Sequence, residues 1–165
     1  MDRQILFSSG ACSLGVVLVA RTERGVCAIL LGDDPYELEL DLRRRFPHDE
    51  ICDAYVGLEG LVSEVARLVA APHTRLELPL ELLGSEAEQR VWNALREIPA
   101  GATQTYGEVA QRVSMTAKDV GAACAANALA VVVPCHRVVR KDGSLAGYRW
   151  GLQRKRALLE RERAA

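Results

Sequence analysis

Thr105-Tyr106-Gly107-Glu108-Val109-Ala110-Gln111-Arg112-Val113, then Ser114-Met115, then Thr116-Ala117-Lys118-Asp119-Val120-Gly121-Ala122-Ala123-Cys124-Ala125-Ala126, reads as two short helices joined by a tight turn. Such a pair is the pattern of a helix-turn-helix. Helix pairs occur in any bundle, so the pattern alone names no partner. The second helix is rich in small residues, Gly121, Ala122, Ala125 and Ala126. These suit tight helix packing and close approach to a ligand equally well.

Upstream, Ser85-Glu86-Ala87-Glu88 has the spacing of a capping box and opens a helix carrying Val91, Trp92 and Leu95, which Pro99-Ala100-Gly101 stops. Residues 74–84 read as an extended connector. Before it the texture changes. Residues 5–7, 14–20 and 26–31 are strand-like apolar runs, separated by Ser8-Ser9-Gly10 and by residues 21–25. They predict a small antiparallel sheet. Asp33-Asp34-Pro35 starts a helix with Leu38 and Leu42 on one face, and Phe46-Pro47 ends it. A second amphipathic helix covers residues 58–70. The expected fold is therefore α+β: residues 1–80 form an N-terminal sheet with helices that supports the rest, and residues 81–165 form a mostly helical domain.

The composition excludes several classes. Of the 165 residues, 49% are hydrophobic and 26% charged, which is the balance of a folded domain rather than a disordered chain. The longest apolar run, 122–133, is too short for a membrane span, which needs roughly 20 residues. The start, Met1-Asp2-Arg3-Gln4, has no basic and apolar leader pattern. A cytoplasmic protein without a membrane partner is expected. Cysteines at 12, 27, 52, 124 and 135 show neither Cys-x-x-Cys pairing nor metal-ligand spacing, so no metal and no cofactor is expected. Net charge is only −1, but from Arg90 onward 13 basic residues face 6 acidic ones, and the preceding segment has 8 against 16. A basic half of that kind can meet phosphates.

Downstream of the helix pair, Val131-Val132-Val133-Pro134-Cys135-His136-Arg137-Val138-Val139 carries the chemistry. A free thiol is only slightly ionised at neutral pH, and His136 and Arg137 are adjacent groups able to stabilise the anion, so Cys135 reads as an activated thiolate. A Cys-His dipeptide alone is also compatible with a buried structural cysteine.

Pro134-Cys135-His136-Arg137-Val138 resembles the active-site signature of the O6-alkylguanine-DNA alkyltransferases, in particular the methyltransferase domain of bacterial adaptive-response proteins. The likeness extends to residues 123–127 and 142–151, to 89–95 and 98–101, and to 24–34, nearly the whole chain. It implies a ribonuclease H-like N-terminal sheet and a helix-turn-helix that enters the DNA minor groove. The implied partner is double-stranded DNA containing O6-alkylguanine, and O4-methylthymine is a second substrate. The implied activity is irreversible transfer of one methyl or alkyl group to Cys135, by a monomer, after nucleotide flipping.

Residue by residue, the resemblance makes Cys135 the alkyl acceptor and His136 the base acting through a water. Glu162 orients the imidazole, although in Glu160-Arg161-Glu162-Arg163 it otherwise reads as a solvated helix end. Tyr106 donates to the base, and Tyr148, Arg149 and Trp150 surround the pocket, with Trp150 narrowing it. Lys118, Gly121, Ala122, Ala126, Asn127 and Arg137 serve DNA binding and flipping. One position departs from the family: the arginine expected seventeen residues before the nucleophile is Lys118, which keeps the charge but not the planar guanidinium. The competing reading is a non-enzymatic damage-binding protein of the alkyltransferase-like kind. The metal-binding, phosphotriester-repairing region of the adaptive-response proteins is not matched, so the resemblance does not extend to transcriptional activation.

Overall fold

The computed structural model describes residues 3–54 and 56–165, and the chain divides into two compact units, Met1–Leu82 and Leu83–Ala165. Among the described residues, no helix is long and apolar enough to cross a membrane.

In the first unit, strands β1 (Gln4–Cys12), β2 (Gly15–Arg21) and β3 (Val26–Gly32) form an antiparallel meander. The separator expected at Ser8-Ser9-Gly10 is instead part of β1, with Ser8 opposite Val19 and Gly10 opposite Val17. Pairing with β2 overrides the polar composition here. A Cβ on Gly10 would lie 2.8 Å from Val62 of α2 (Glu59–Ala70), so glycine lets the helix sit against the strand. A fourth strand, β4 (Glu50–Asp53), joins β1 in parallel, giving the order β3-β2-β1-β4 and a mixed sheet. Its four residues carry no alternation visible in the sequence.

Helix α1 (Pro35–Arg45) begins as expected. The Asp34 side chain accepts from the Tyr36 backbone, and Leu38 and Leu42 are buried. The connector runs alongside β3, with a bridge between Val26 and Leu80.

The second unit is built from α3 (Glu86–Leu95), α4 (Tyr106–Val113), α5 (Ala117–Ala126) and α6 (Leu152–Arg163), with β5 (Gln104–Thr105) and β6 (Val138–Val139) paired in parallel. The capping box at Ser85 and Glu88 forms, and two more start the helix pair: Thr105 with Glu108, and Thr116 with Asp119. Only Ser114, Met115 and Thr116 separate α4 from α5. Ser114 takes the left-handed conformation (φ 58°) that closes a helix C-terminus. Trp92 ties α3 to α5 by donating from Nε1 to the Ala123 carbonyl at 2.8 Å. The indole thereby fixes the height at which α5 ends, and the candidate site begins there.

Candidate active site

Helix α5 stops at Asn127, which is fully buried. Its Oδ1 accepts from the Leu129 backbone at 2.9 Å, and its Nδ2 donates to the Val133 carbonyl at 3.0 Å, to the Leu129 carbonyl at 3.4 Å and to Cys135 Sγ at 3.4 Å. One amide thus folds residues 128–134 into a loop and holds the thiol at its end. The loop is tight enough to force Val131 to φ 71°, a conformation that β-branched residues rarely adopt.

Cys135, His136 and Arg137 form a single 3-10 turn, and all three are buried. His136 Nε2 is hydrogen-bonded to Glu162 Oε1. Glu162 Oε2 accepts from Arg137 Nε at 2.7 Å, and Arg137 also donates to the Ile98 carbonyl at 2.7 Å. Burial, opposed by the Glu162 bond, holds His136 below the usual imidazole range. Burial pushes the Glu162 carboxyl up, but the bonds and charges of His136 and Arg137 outweigh it and leave Glu162 below the usual range. The resting state is therefore carboxylate and guanidinium with a neutral imidazole. Nε2 carries the proton it donates to Glu162, and Nδ1 keeps a free lone pair with no partner among the described residues.

Glu162 is buried against His136, where the expected orienter has to be, and not on a solvated helix end, because α6 turns the face carrying Lys155, Leu158, Leu159 and Glu162 inward. Two other expectations are corrected. Arg137 does not face a ligand from outside, since its guanidinium neutralises Glu162. The second correction concerns Cys135 itself. Burial pushes its thiol up to about 11, despite the Asn127 bond and the charge of Lys155, so the resting group is a thiol and not a thiolate.

Beside Cys135 lies a cleft of about 420 Å³. Tyr106, Tyr148 and Arg149 line it, as do Gly121 and Ala125 of α5. Burial raises the Tyr106 phenol to about 12, which keeps its proton available for donation. Burial raises Tyr148 as well, and its hydroxyl has no hydrogen-bond partner among the described residues. Arg149 donates to the Ala125 carbonyl at 3.2 Å, joining the cleft wall to α5. Trp150 is not part of the lining. It is buried behind Tyr148, edge to face at 5.2 Å, so any narrowing it imposes is exerted through that ring.

On α5, Lys118, Ala122 and Ala125 are exposed, Gly121 and Ala126 are half-buried, and 118, 121, 122 and 125 share one helical face. A Cβ on Gly121 would meet nothing within 4 Å, so helix packing does not require glycine there.

Two contributors were not read from the sequence. Cys124 lines the cleft, and Lys155 is wholly buried beneath the active-site turn. The signal for Lys155 was its spacing with Leu158, Leu159 and Glu162 on one face of α6.

The family model for the DNA-binding domain of 6-O-methylguanine DNA methyltransferase matches residues 86–164. The bifunctional transcriptional activator and DNA repair enzyme Ada of Escherichia coli is 45% identical over 160 residues, covering 96% of this chain and 45% of that protein. The chain thus spans less than half of that relative's length. The inducible methylated-DNA–protein-cysteine methyltransferase of Bacillus subtilis is 35% identical over 150 residues, covering 89% of this chain and 84% of that one. A crystal structure of Mycobacterium tuberculosis OGT in complex with DNA superposes with a TM-score of 0.75 at 30% identity, covering 98% of this chain and 93% of that chain.

Proposed function

The chain belongs to the methylated-DNA–protein-cysteine methyltransferase family, and from that premise we propose that it repairs duplex DNA directly, moving the alkyl group of O6-alkylguanine irreversibly to Cys135. The observation that carries this reading is the Cys135 thiol, held by Asn127 at the wall of a cleft whose other side is the exposed face of α5. O4-methylthymine offers the same alkyl–oxygen bond and is a second substrate.

The chemistry follows from the groups present. His136 Nδ1, with its lone pair free, takes the thiol proton through one water, and Glu162 stabilises the imidazolium that forms. The sulfur electron pair forms a bond to the alkyl carbon. The carbon–oxygen bond breaks, and its pair passes to the purine. Tyr106, a protonated phenol, donates to the base as that charge develops, and Tyr148 supplies a second hydroxyl. The product is a thioether with no facile hydrolytic exit, so each chain acts once.

A thiol at the bottom of a cleft cannot reach a stacked base, and flipping the nucleotide costs roughly a few kcal/mol. The helix pair α4 and α5 serves as a helix-turn-helix in the minor groove. Open space at Gly121 and the small Ala122 and Ala125 let the backbone approach closely, and Lys118 reaches toward the gap left by the flipped base. The N-terminal unit is structural support.

The test is a titration: a fixed amount of protein is mixed with rising amounts of duplex containing O6-methylguanine, and repaired lesions are counted. Repair reaching a plateau at one lesion per chain is expected. Continued turnover, or binding without repair as in a damage sensor, overturns the reading.

A further inference from the structure

The parallel ladder of the second unit pairs Gln104 with Val138 and Thr105 with Val139. The next residues leave the two strands side by side: Tyr106 opens α4, and Arg140 opens the turn after β6. Neighbouring strands lie about 4.8 Å apart, so the ladder sets Arg140 next to a residue that lines the cleft. Tyr106 is half-buried in that wall, whereas Arg140 is exposed. Arg140 therefore stands at the rim.

Its backbone is fixed and its side chain is unengaged. Arg140 N donates to the Ser144 carbonyl at 3.0 Å, and the Arg140 carbonyl accepts from Gly143 N at 2.8 Å, with Gly143 in the left-handed region (φ 84°) that closes the turn. Asp142, the carboxylate of this turn, accepts from the Ser144 backbone at 2.9 Å and from its hydroxyl at 2.6 Å. Among the described residues, the Arg140 guanidinium has no hydrogen-bond or ion-pair partner. Other arginines of the site are held: Arg137 by Glu162, Arg149 by the Ala125 carbonyl and Arg154 by the Trp150 carbonyl.

A base drawn into the cleft against Tyr106 leaves its sugar and phosphates at the mouth. A guanidinium there offers a phosphate two parallel N–H donors and a full charge. We propose that Arg140 is a positioning residue that grips a phosphate of the flipped nucleotide and so holds the extruded base beside Tyr106. The inference rests on the reading of the chain as a base-flipping alkyltransferase. It divides the work between two cations, Lys118 at the gap left in the duplex and Arg140 at the nucleotide that left it. The electrostatics agree: burial raises the Tyr106 phenol, and the Arg140 charge opposes that rise, as a guanidinium beside the cleft would.

The test measures single-turnover methyl transfer, and the half-saturating concentration of a duplex carrying one O6-methylguanine, against salt. Arg140→Gln removes an exposed side chain without a partner, so the variant folds. Its half-saturating concentration is expected to rise about tenfold at about 50 mM salt and about threefold at about 200 mM, because one lost phosphate contact lowers the slope of log affinity against log salt by about 0.9. Arg140→Lys is expected to restore the slope and part of the affinity. Arg163→Gln, an exposed charge at the end of α6, is expected to match the native chain. The phosphates flanking the lesion are then replaced, one at a time, by neutral methylphosphonates. One of the two replacements should weaken the native chain and add nothing in Arg140→Gln. A native salt slope in Arg140→Gln, or additive losses at both linkages, overturns the proposal while leaving repair intact. Absence of transfer by the native chain on the unmodified duplex overturns the repair reading itself.

Discussion

The two sides of Cys135 are built on opposite terms. On one side the strong polar groups hold one another, with only His136 Nδ1 left without a partner among the described residues: Glu162 holds His136 and Arg137, Arg137 also reaches Ile98, and Asn127 binds the loop and the sulfur. On the cleft side the Tyr148 hydroxyl has no partner among the described residues, and beyond Lys118 the face of α5 carries only the small residues Gly121, Ala122 and Ala125. Satisfied groups hold geometry, and unsatisfied ones await a ligand. The contrast teaches that stability and reaction are assigned to different walls of one site, so substitutions should separate them.

The largest expected effect lies on the matched side. Glu162→Ala takes the carboxylate from the buried Arg137 guanidinium, and should cost about 3–5 kcal/mol in urea denaturation. Transfer should fall with it, because His136 loses its orienter. A loss under about 1 kcal/mol would show that the triad is not the internal support it appears from its burial.

Asn127→Ala follows. It strands the buried Leu129 N–H and releases the loop that strains Val131, so a loss of about 1–3 kcal/mol is expected, with slower single-turnover transfer. Native transfer in this variant breaks the link between loop and thiol.

Acid acts on the same side. Both His136 and Glu162 lie below their ordinary values in the fold, so the unfolded chain binds protons that the native state refuses. Their contribution is complete above the unfolded imidazole value, near pH 6.5, begins to be lost below it, and declines further as Glu162 protonates. Thermal melts from pH 7.5 down to 4 should show this, with a flatter profile in His136→Asn.

Tyr148→Phe reverses the pattern. Removing a hydroxyl without a partner should leave stability unchanged or raise it by up to about 1 kcal/mol, while transfer slows. Equal loss of both would place Tyr148 on the structural side. The smallest effect is expected at the rim, where Lys118→Arg should speed repair of duplex by a few-fold, because a planar guanidinium stacks where an ammonium does not. An unchanged or slower single-turnover rate contradicts that role.

Elements with strong local signals were legible in the sequence. The caps at Asp34 and Ser85, the apolar faces of α1 and α2, and the helix pair stand where their residues indicate. The continuation of β1 through Ser8-Ser9-Gly10 was hidden because it comes from pairing with β2, and the need for glycine under Val62 of α2 is set by a residue distant in sequence. β4 was hidden for a similar reason: four residues gain strand conformation only from pairing with β1. At the site, the nucleophile's motif was legible and its electrostatics were not. Burial, which no spacing encodes, turned Cys135 from thiolate to thiol, directed Arg137 inward and enclosed Lys155.

The most direct test is to incubate the chain with a duplex carrying one O6-methylguanine and to map the protein peptides by mass spectrometry. One methyl group on the Cys135 peptide, restored guanine in the DNA, and neither change in Cys135→Ala are the results expected. Bound DNA with Cys135 unmodified, or a methyl group on another cysteine such as Cys124, would contradict the account.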